Sequence, residues 1–267
     1  MRDLTLIHKS EMDLLKIFMK ICAEHNLKYT MLGGTMLGAI RHKGFIPWDD
    51  DIDIGMFRDD YEKFIEVFNK YYSFEYLNLD EYKQRLNHLR LEDTRMKLLN
   101  NCAVTSYEES VFIDIFSLDG MPNNYFSRKY HSIKLLVNRC MMKLSQFEHI
   151  GVNIKNRPLH EKIIINIAKM LPFLNKLNTM YFVNNIDCLL KENDCKKSKY
   201  IVNFMGAYKF KEMFPSEIYA ETEMYRFEDV QLPGPRNYDF YLKQLYGDYM
   251  KPPADEDKNK HCTEVIE

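Results

Sequence analysis

Residues 33 to 56 constrain this chain most: the diglycine of Gly33-Gly34-Thr35 opens a short amphipathic stretch, and the acids of Asp51-Ile52-Asp53 open an apolar run. Side chains along a strand alternate with period two, so Asp51 and Asp53 face the same side of an extended segment. Two like charges on one face require a cation. Mg²⁺ takes one or two carboxylates together with substrate phosphate oxygens and water, so the pair suits a phosphate-transfer site better than a closed structural cage. Mn²⁺ is the alternative ion. The glycines let the backbone approach a ligand closely, and a following helix aims its first N–H groups at an anion. Gly33, Gly34 and Thr35 are therefore candidate phosphate contacts. A diglycine alone is more often a turn, and it is the acidic strand after it that gives it weight.

The pattern around these motifs alternates helices with short strands. Ser10 and Asp13 form a capping-box-like helix start, after which Leu14, Ile17, Phe18, Ile21 and Cys22 recur at helical spacing through Glu24. Leu27 to Leu32 reads as a buried strand, Thr35 to Ile40 as a short helix ended near Gly44, and Asp51 to Phe57 as the next strand. Asp59-Asp60 begin a helix with Tyr61, Phe64, Ile65 and Phe68 on its apolar side. Phe74 to Leu79, Ala103 to Thr105 and Val111 to Phe116 are further strand candidates. From Tyr125 to about Lys191 long helical stretches follow, broken near Pro158 and Pro172. Beyond them come a strand at Tyr200 to Phe204, a turn at Leu232-Pro233-Gly234-Pro235, a short aromatic helix and a Pro252-Pro253 stop. The expected architecture is α+β: a mixed sheet with flanking helices and a helical subdomain. It divides into 1–121 as a catalytic core, 122–199 as the helical subdomain and 200–267 as a segment packing back on the core.

A net charge of −2 and a pI near 6.5 give no basic bias, which argues against nucleic acid as a partner. The densest basic cluster, Lys191, Lys196, Lys197 and Lys199, reads as a solvated helix end. Six scattered cysteines without a C-x-x-C pair indicate neither a zinc knuckle nor a disulfide framework, and free thiols point to a reducing compartment. Asp3, His8, Lys9 and Glu11 occupy the place of a signal-peptide core, and the longest apolar stretch, Ile163 to Phe173, is interrupted by Asn166, Lys169 and Pro172. The expected location is cytoplasmic, with at most peripheral contact at the inner membrane face.

A third carboxylate would complete the acid pair, and Asp114 in Val111-Phe112-Ile113-Asp114-Ile115-Phe116 is the candidate. A lone acid among bulky apolar residues is costly unless a cation or hydrogen bonds stabilise it; a strand-edge acid facing solvent is the plainer reading. Asp49, Asp51 and Asp53 also match the alternating acids of an EF-hand. That match fails at Ile54 and Asp60, where the loop needs glycine and glutamate. The Asp-x-Asp site of nucleotide-sugar glycosyltransferases is a further rival, and the preceding diglycine argues against it. Arg41 and Lys43 are candidate phosphate neutralisers, with surface exposure as an equal reading. Trp48 is read first as a packing residue and second as a platform for a base or quaternary ammonium group, and Arg90 and Arg95 are weaker phosphate candidates. Tyr238, Tyr241, Tyr246 and Tyr249 read as packing residues.

The run Leu32-Gly33-Gly34-Thr35, the block Gly38-Ala39-Ile40-Arg41-His42-Lys43-Gly44-Phe45-Ile46-Pro47-Trp48-Asp49-Asp50-Asp51-Ile52-Asp53-Ile54-Gly55, and the later Pro233-Gly234-Pro235, Tyr241-Leu242 and Tyr246-Gly247-Asp248-Tyr249-Met250 closely resemble the LicD family. Its bacterial members are phosphocholine transferases, and its animal relatives include fukutin and the fukutin-related protein. The resemblance implies a nucleotidyltransferase-like core of the DNA polymerase beta type. The 16 residues between Gly34 and Asp51 exceed the usual spacing of that wider superfamily, which is a LicD-like trait. It implies a metal-dependent transferase that moves phosphocholine, or a related phospho-alcohol, from CDP-choline or another CDP-alcohol to a sugar hydroxyl of a lipid-linked or surface glycan precursor, releasing CMP. Asp51, Asp53 and Asp114 would then hold Mg²⁺ and carry catalysis, with Asp114 also the candidate proton acceptor. Gly33, Gly34, Thr35, Arg41 and Lys43 would contact the donor. Two alternatives stand beside this: a nucleotidyltransferase that releases pyrophosphate from a nucleoside triphosphate, and a non-catalytic glycan- or metal-binding module.

Overall fold

In a computed structural model of the chain, the structure describes residues 4–72, 76–81, 88–100, 106–145, 177–254 and 263–265. Apolar spacing builds α1 (Thr5–Glu24), which buries Ile7, Leu14, Leu15, Phe18 and Ile21. The helix starts at Thr5, ahead of the Ser10 to Asp13 signal; Ser10 is buried on its inner face instead of capping its end. Next come β1 (Thr30–Met31), α2 (Gly33–Arg41), β2 (Asp53–Phe57) and α3 (Arg58–Tyr71). Asp51, read from the sequence as the first residue of a strand, lies two positions ahead of β2.

β3 (Leu77–Glu81), β4 (Leu89–Asn100) and β5 (Tyr107–Met121) follow. The sequence reading overlooked β4, although Leu89 and Leu91 alternate into the core there. A bulge between Asp93 and Lys97 breaks that alternation, and Arg95 grips Asp93 across it at 2.7 Å. Ala103 to Thr105 and the stretch around Pro158 and Pro172, including Ile163 to Phe173, lie outside the described residues.

Among the described residues the helical part includes α4 (Tyr125–Ser145) and α5 (Thr179–Lys191), which pack on each other. After them come β6 (Tyr200–Val202), a single 3₁₀ turn at Lys209–Glu212, β7 (Met213–Pro215) and α6 (Ser216–Ala220). The chain then runs through β8 (Thr222–Phe227), β9 (Val230–Pro235), α7 (Tyr238–Tyr246) and β10 (Thr263–Val265). The expected turn at Leu232 to Pro235 is therefore a strand. β8 and β9 form a separate two-stranded ribbon, where every strand has an open edge, so Pro233 and Pro235 can sit in β9 with no ladder bond lost to a third strand.

Eight strands join in one mixed sheet, with the order β1-β2-β5-β4-β10; β3 also pairs with β4, and β6 links β5 to β7. β2 and β5 run parallel, while the other pairings are antiparallel. A mixed sheet with flanking helices agrees with the α+β expectation. One core joins α1, α2, α3 and the sheet; a second, around Met121, Leu135, Ile186 and Phe204, joins α4 and α5 to the far end of β5. Among the described residues no helix is long and apolar enough to cross a membrane, and Cys22, Cys140, Cys188 and Cys195 are free.

Candidate active site

Parallel pairing sets the centre of the site. Asp53, the first residue of β2, lies directly opposite Asp114 of β5 in register, and Asp114 N–H donates to the Ile52 carbonyl at 2.9 Å. The glycine turn is tied to the same place. Thr35 Oγ1 accepts from Asp53 N–H at 2.7 Å, and the Asp53 carbonyl accepts from Leu32 N–H at 3.0 Å. Gly33 takes a left-handed φ of +43°, and a β-carbon on it would stand 2.9 Å from Asp53 Oδ2. At Gly34 a β-carbon would meet Asp49 Oδ2 at 2.7 Å. Both glycines therefore exist because carboxylates occupy the space of a side chain. No side chain caps α2, so its first turn keeps the anion-attracting character of a helix start.

These groups open on a cavity of about 690 Å³, whose lining includes Gly33, Gly34, Arg41, Trp48, Asp49, Asp51, Asp53, His88, Arg90 and Asp114. Of the residues assigned to catalysis, donor contact or metal from the sequence, Thr35 and Lys43 stand outside that lining. Thr35 serves through its hydroxyl on β2. Lys43 is exposed with a φ of +63°, and its carbonyl receives Glu228 N–H at 2.8 Å, so the structure does not bring its ammonium to the cavity. Arg41 does reach it. Its Nη1 donates to the Tyr249 carbonyl at 2.8 Å, and its guanidinium lies over the Trp48 ring at 5.8 Å. Arg95 points elsewhere, paired to Asp93 and stacked on Tyr76. Among the tyrosines read as packing residues, Tyr241 is buried and its hydroxyl oxygen accepts Gly33 N–H at 2.9 Å, whereas Tyr246 and Tyr249 line the cavity.

The acids differ in their surroundings. Burial is the largest influence on Asp114 and would raise its carboxyl, but His88 and Arg90 beside it outweigh burial and hold it below the usual range. Both donate to the same oxygen, His88 Nε2 at 3.1 Å and Arg90 Nε at 3.0 Å from Oδ1, so neither contact uses Oδ2. Asp53 has no such relief: burial first, then Asp51, Asp114, Asp49 and Glu212, all push its carboxyl well above the usual range. Oxygen donors alone, with an excess of negative charge, fit a hard divalent cation such as Mg²⁺. Among the described residues no three His, Cys, Asp or Glu side chains come together as a group that could hold a metal ion by themselves.

Three groups here escaped the sequence reading. Glu11 of α1 is 1% exposed, with Oε2 lacking a hydrogen-bond partner; burial first, then Asp51, Asp50, Asp49 and Asp114, raise its carboxyl well above the usual range. Its signal was available, since an acid sits inside the apolar stripe of Ile7, Leu14 and Leu15. His88 and Glu212 gave none, because each reaches the cavity only through long-range packing. Glu212, 3% exposed, is pushed up to about 7 by burial, with hydrogen bonds from Tyr208 N–H and Asn203 acting against it.

With this geometry in hand, comparison with known proteins is specific. Residues 26–153 match the family described as LicD/FKTN/FKRP, nucleotidyltransferase domain, which spans the diglycine turn, β2 and β5. The chain is 29% identical over 261 aligned residues to the lipopolysaccharide cholinephosphotransferase LicD of Haemophilus influenzae, covering 94% of this chain and 92% of that protein. It is also 25% identical over 190 residues to an uncharacterized protein of Rickettsia typhi, covering 71% of this chain and 54% of that one. A shorter match, 47% identical over 47 residues, is to a Rickettsia prowazekii protein. The glycine turn, the paired acids and this likeness converge: residues 26–153 carry the LicD/FKTN/FKRP nucleotidyltransferase domain, and the chain as a whole is similar to a LicD protein.

Proposed function

We propose that this LicD-like transferase moves phosphocholine, or a closely related phospho-alcohol, from a CDP-linked donor to a hydroxyl of a glycan and releases CMP. The observation that carries the reading is the in-register pair Asp53 and Asp114 beside the Gly33-Gly34 turn, at the foot of an open cavity. The similarity to a protein named for transferring cholinephosphate to lipopolysaccharide supports the choice of head group and acceptor class. In this reading residues 1–121 are a nucleotidyltransferase-like catalytic core, 122–199 a helical subdomain, and 200–267 a segment packing back on the core. The protein would act in the cytoplasm, touching a membrane only through its acceptor.

Asp53, Asp51 and Oδ2 of Asp114 would hold Mg²⁺, with Mn²⁺ as the alternative. Bound there, the ion would neutralise charge that builds on the diphosphate during transfer. The chain's own part is placement. The first turn of α2 and Arg41 take the donor's phosphate oxygens, and the fixed strands hold the distal phosphorus where a sugar hydroxyl can attack in line. The new bond forms between hydroxyl oxygen and distal phosphorus, the bond to the CMP oxygen breaks with its electron pair leaving on CMP, and the hydroxyl proton passes to a carboxylate. The His88 and Arg90 contacts lower the basicity of Asp114 and weigh against the proton-accepting role that the sequence reading gave it; they favour it as a ligand.

Mass spectrometry of the purified chain with Mg²⁺, CDP-alcohols and nucleoside triphosphates tests the proposal. The expected product is CMP from a CDP-alcohol, dependent on metal and lost on adding a chelator. Pyrophosphate release in its place would transfer the reading to the nucleotidyltransferase alternative.

A further inference from the structure

One corner of the cavity has a chemistry that the metal and phosphate groups do not share. Tyr208 and Tyr246 both line it, with ring centroids 5.5 Å apart and planes at 87°, so they form two perpendicular aromatic walls. Glu212 lines the same cavity. Its Oε1 accepts Tyr208 N–H at 3.0 Å and its Oε2 accepts Asn203 Nδ2 at 2.7 Å, which fixes the carboxylate in place. Arg139, the basic residue that most influences it, is itself engaged by the carbonyls of Phe204 and Gly206. Among the described residues Glu212 forms no ion pair. A buried carboxylate facing a cavity without a salt bridge is stabilised by any cation that enters.

We propose that Tyr208, Tyr246 and Glu212 form the seat of the donor's quaternary ammonium group. The inference rests on the choline-phosphate reading above and adds to it the residues that select the head group. Position favours it. The Tyr246 hydroxyl and the Asp53 carboxylate both flank Gly33, at 3.7 Å and 2.9 Å from where its β-carbon would stand, so the corner begins beside the acid that would hold the ion. Chemistry favours it as well. Ring faces attract a cation that has no N–H to donate, and they serve quaternary ammonium better than a primary ammonium, which needs up to three acceptors. The Lys211 ammonium already lies over the Tyr208 ring at 5.5 Å from outside the lining, so this ring carries one cation on its outer side.

Isothermal titration of the full chain with CDP-choline and with its uncharged carbon isostere, CDP-3,3-dimethylbutanol, both with Mg²⁺ present, tests the proposal. Wild type should bind CDP-choline about tenfold more tightly than the isostere. Tyr208→Leu and Glu212→Gln should each weaken CDP-choline by about tenfold while leaving the isostere unchanged, and Tyr208→Phe, which keeps the ring, should retain wild-type affinity. Equal affinity of wild type for the two ligands, or variants that weaken both alike, overturns the cage and leaves the transferase reading intact. Failure of wild type to bind either ligand overturns both. Circular dichroism on each variant separates loss of fold from loss of the contact.

Discussion

Asp119 and Asp53 are both acids on strands of one sheet, but their neighbours could hardly differ more. Asp119 receives the Arg58 guanidinium through both oxygens at 2.7 and 2.8 Å, with Ser117 adding a hydroxyl at 2.7 Å; Arg58 also reaches Asp187 of α5 at 3.0 Å. This network ties α3 and α5 to β5 and is complete within the protein. Asp53 is ringed by further acids, and no basic group is among the main influences on it. The contrast separates two uses of buried charge: Asp119 is satisfied by the fold, whereas Asp53 is satisfied only by something that arrives.

The comparison can be broken at either end. Under the proposed function Asp53→Asn should cut transfer by on the order of 10³-fold or more, because it removes a carboxylate that would hold the ion on the diphosphate. The same variant should unfold no sooner than wild type by thermal melting, since a like-charge cluster has been relieved; a fall in stability equal to the loss at Asp119 would erase the distinction. Arg58→Met should do the reverse. Leaving Asp119 and Asp187 without their partner should cost about 3–5 kcal/mol, read as a melting temperature roughly 10 °C lower, with turnover of the remaining folded protein little changed. Restoring stability by adding Asp119→Leu would show that the cost lies in the orphaned acid.

A third variant sharpens the contrast through pH. Glu212 is held near 7 in the folded protein against about 4.5 for an ordinary glutamate, so the folded state binds more protons than the unfolded one between those values. Its contribution to stability is full below pH 4.5 and is lost as pH rises to 7, by about 3 kcal/mol. Urea unfolding across that window should show this decline in wild type, and Glu212→Gln should remove that component of it.

What could be read from the sequence follows from range of interaction. Gly33, Gly34, Asp51 and Asp53 stand within one local motif whose spacing carries its own meaning, and Asp114 was marked by its apolar neighbours on a strand. The α1, α3 and β5 segments announced themselves through periodicity. β4 did not, because its bulge interrupts the alternation, and β9 did not, because proline reads as a turn until an open-edged ribbon accommodates it. Glu212 and Tyr208 reach the cavity by packing across the fold, which no short pattern encodes. Lys43, for which surface exposure was an equal reading, is exposed and stands outside the cavity lining, since closeness in sequence to the acids does not by itself bring a side chain into the cavity.

The tether from Tyr241 to Gly33 joins residues 208 positions apart, and the Arg41 contact with Tyr249 spans the same distance. A chain leaving the ribosome therefore exposes its glycine turn and acids long before α7 exists to hold them. Synthesis proceeds at about 5–20 residues per second, so the nascent protein spends on the order of ten seconds with an unfinished pocket. A complete cavity is thus one of the last features the chain acquires, and a ribosome stalled ahead of α7 would display the glycine turn and the acids without the tethers that hold them.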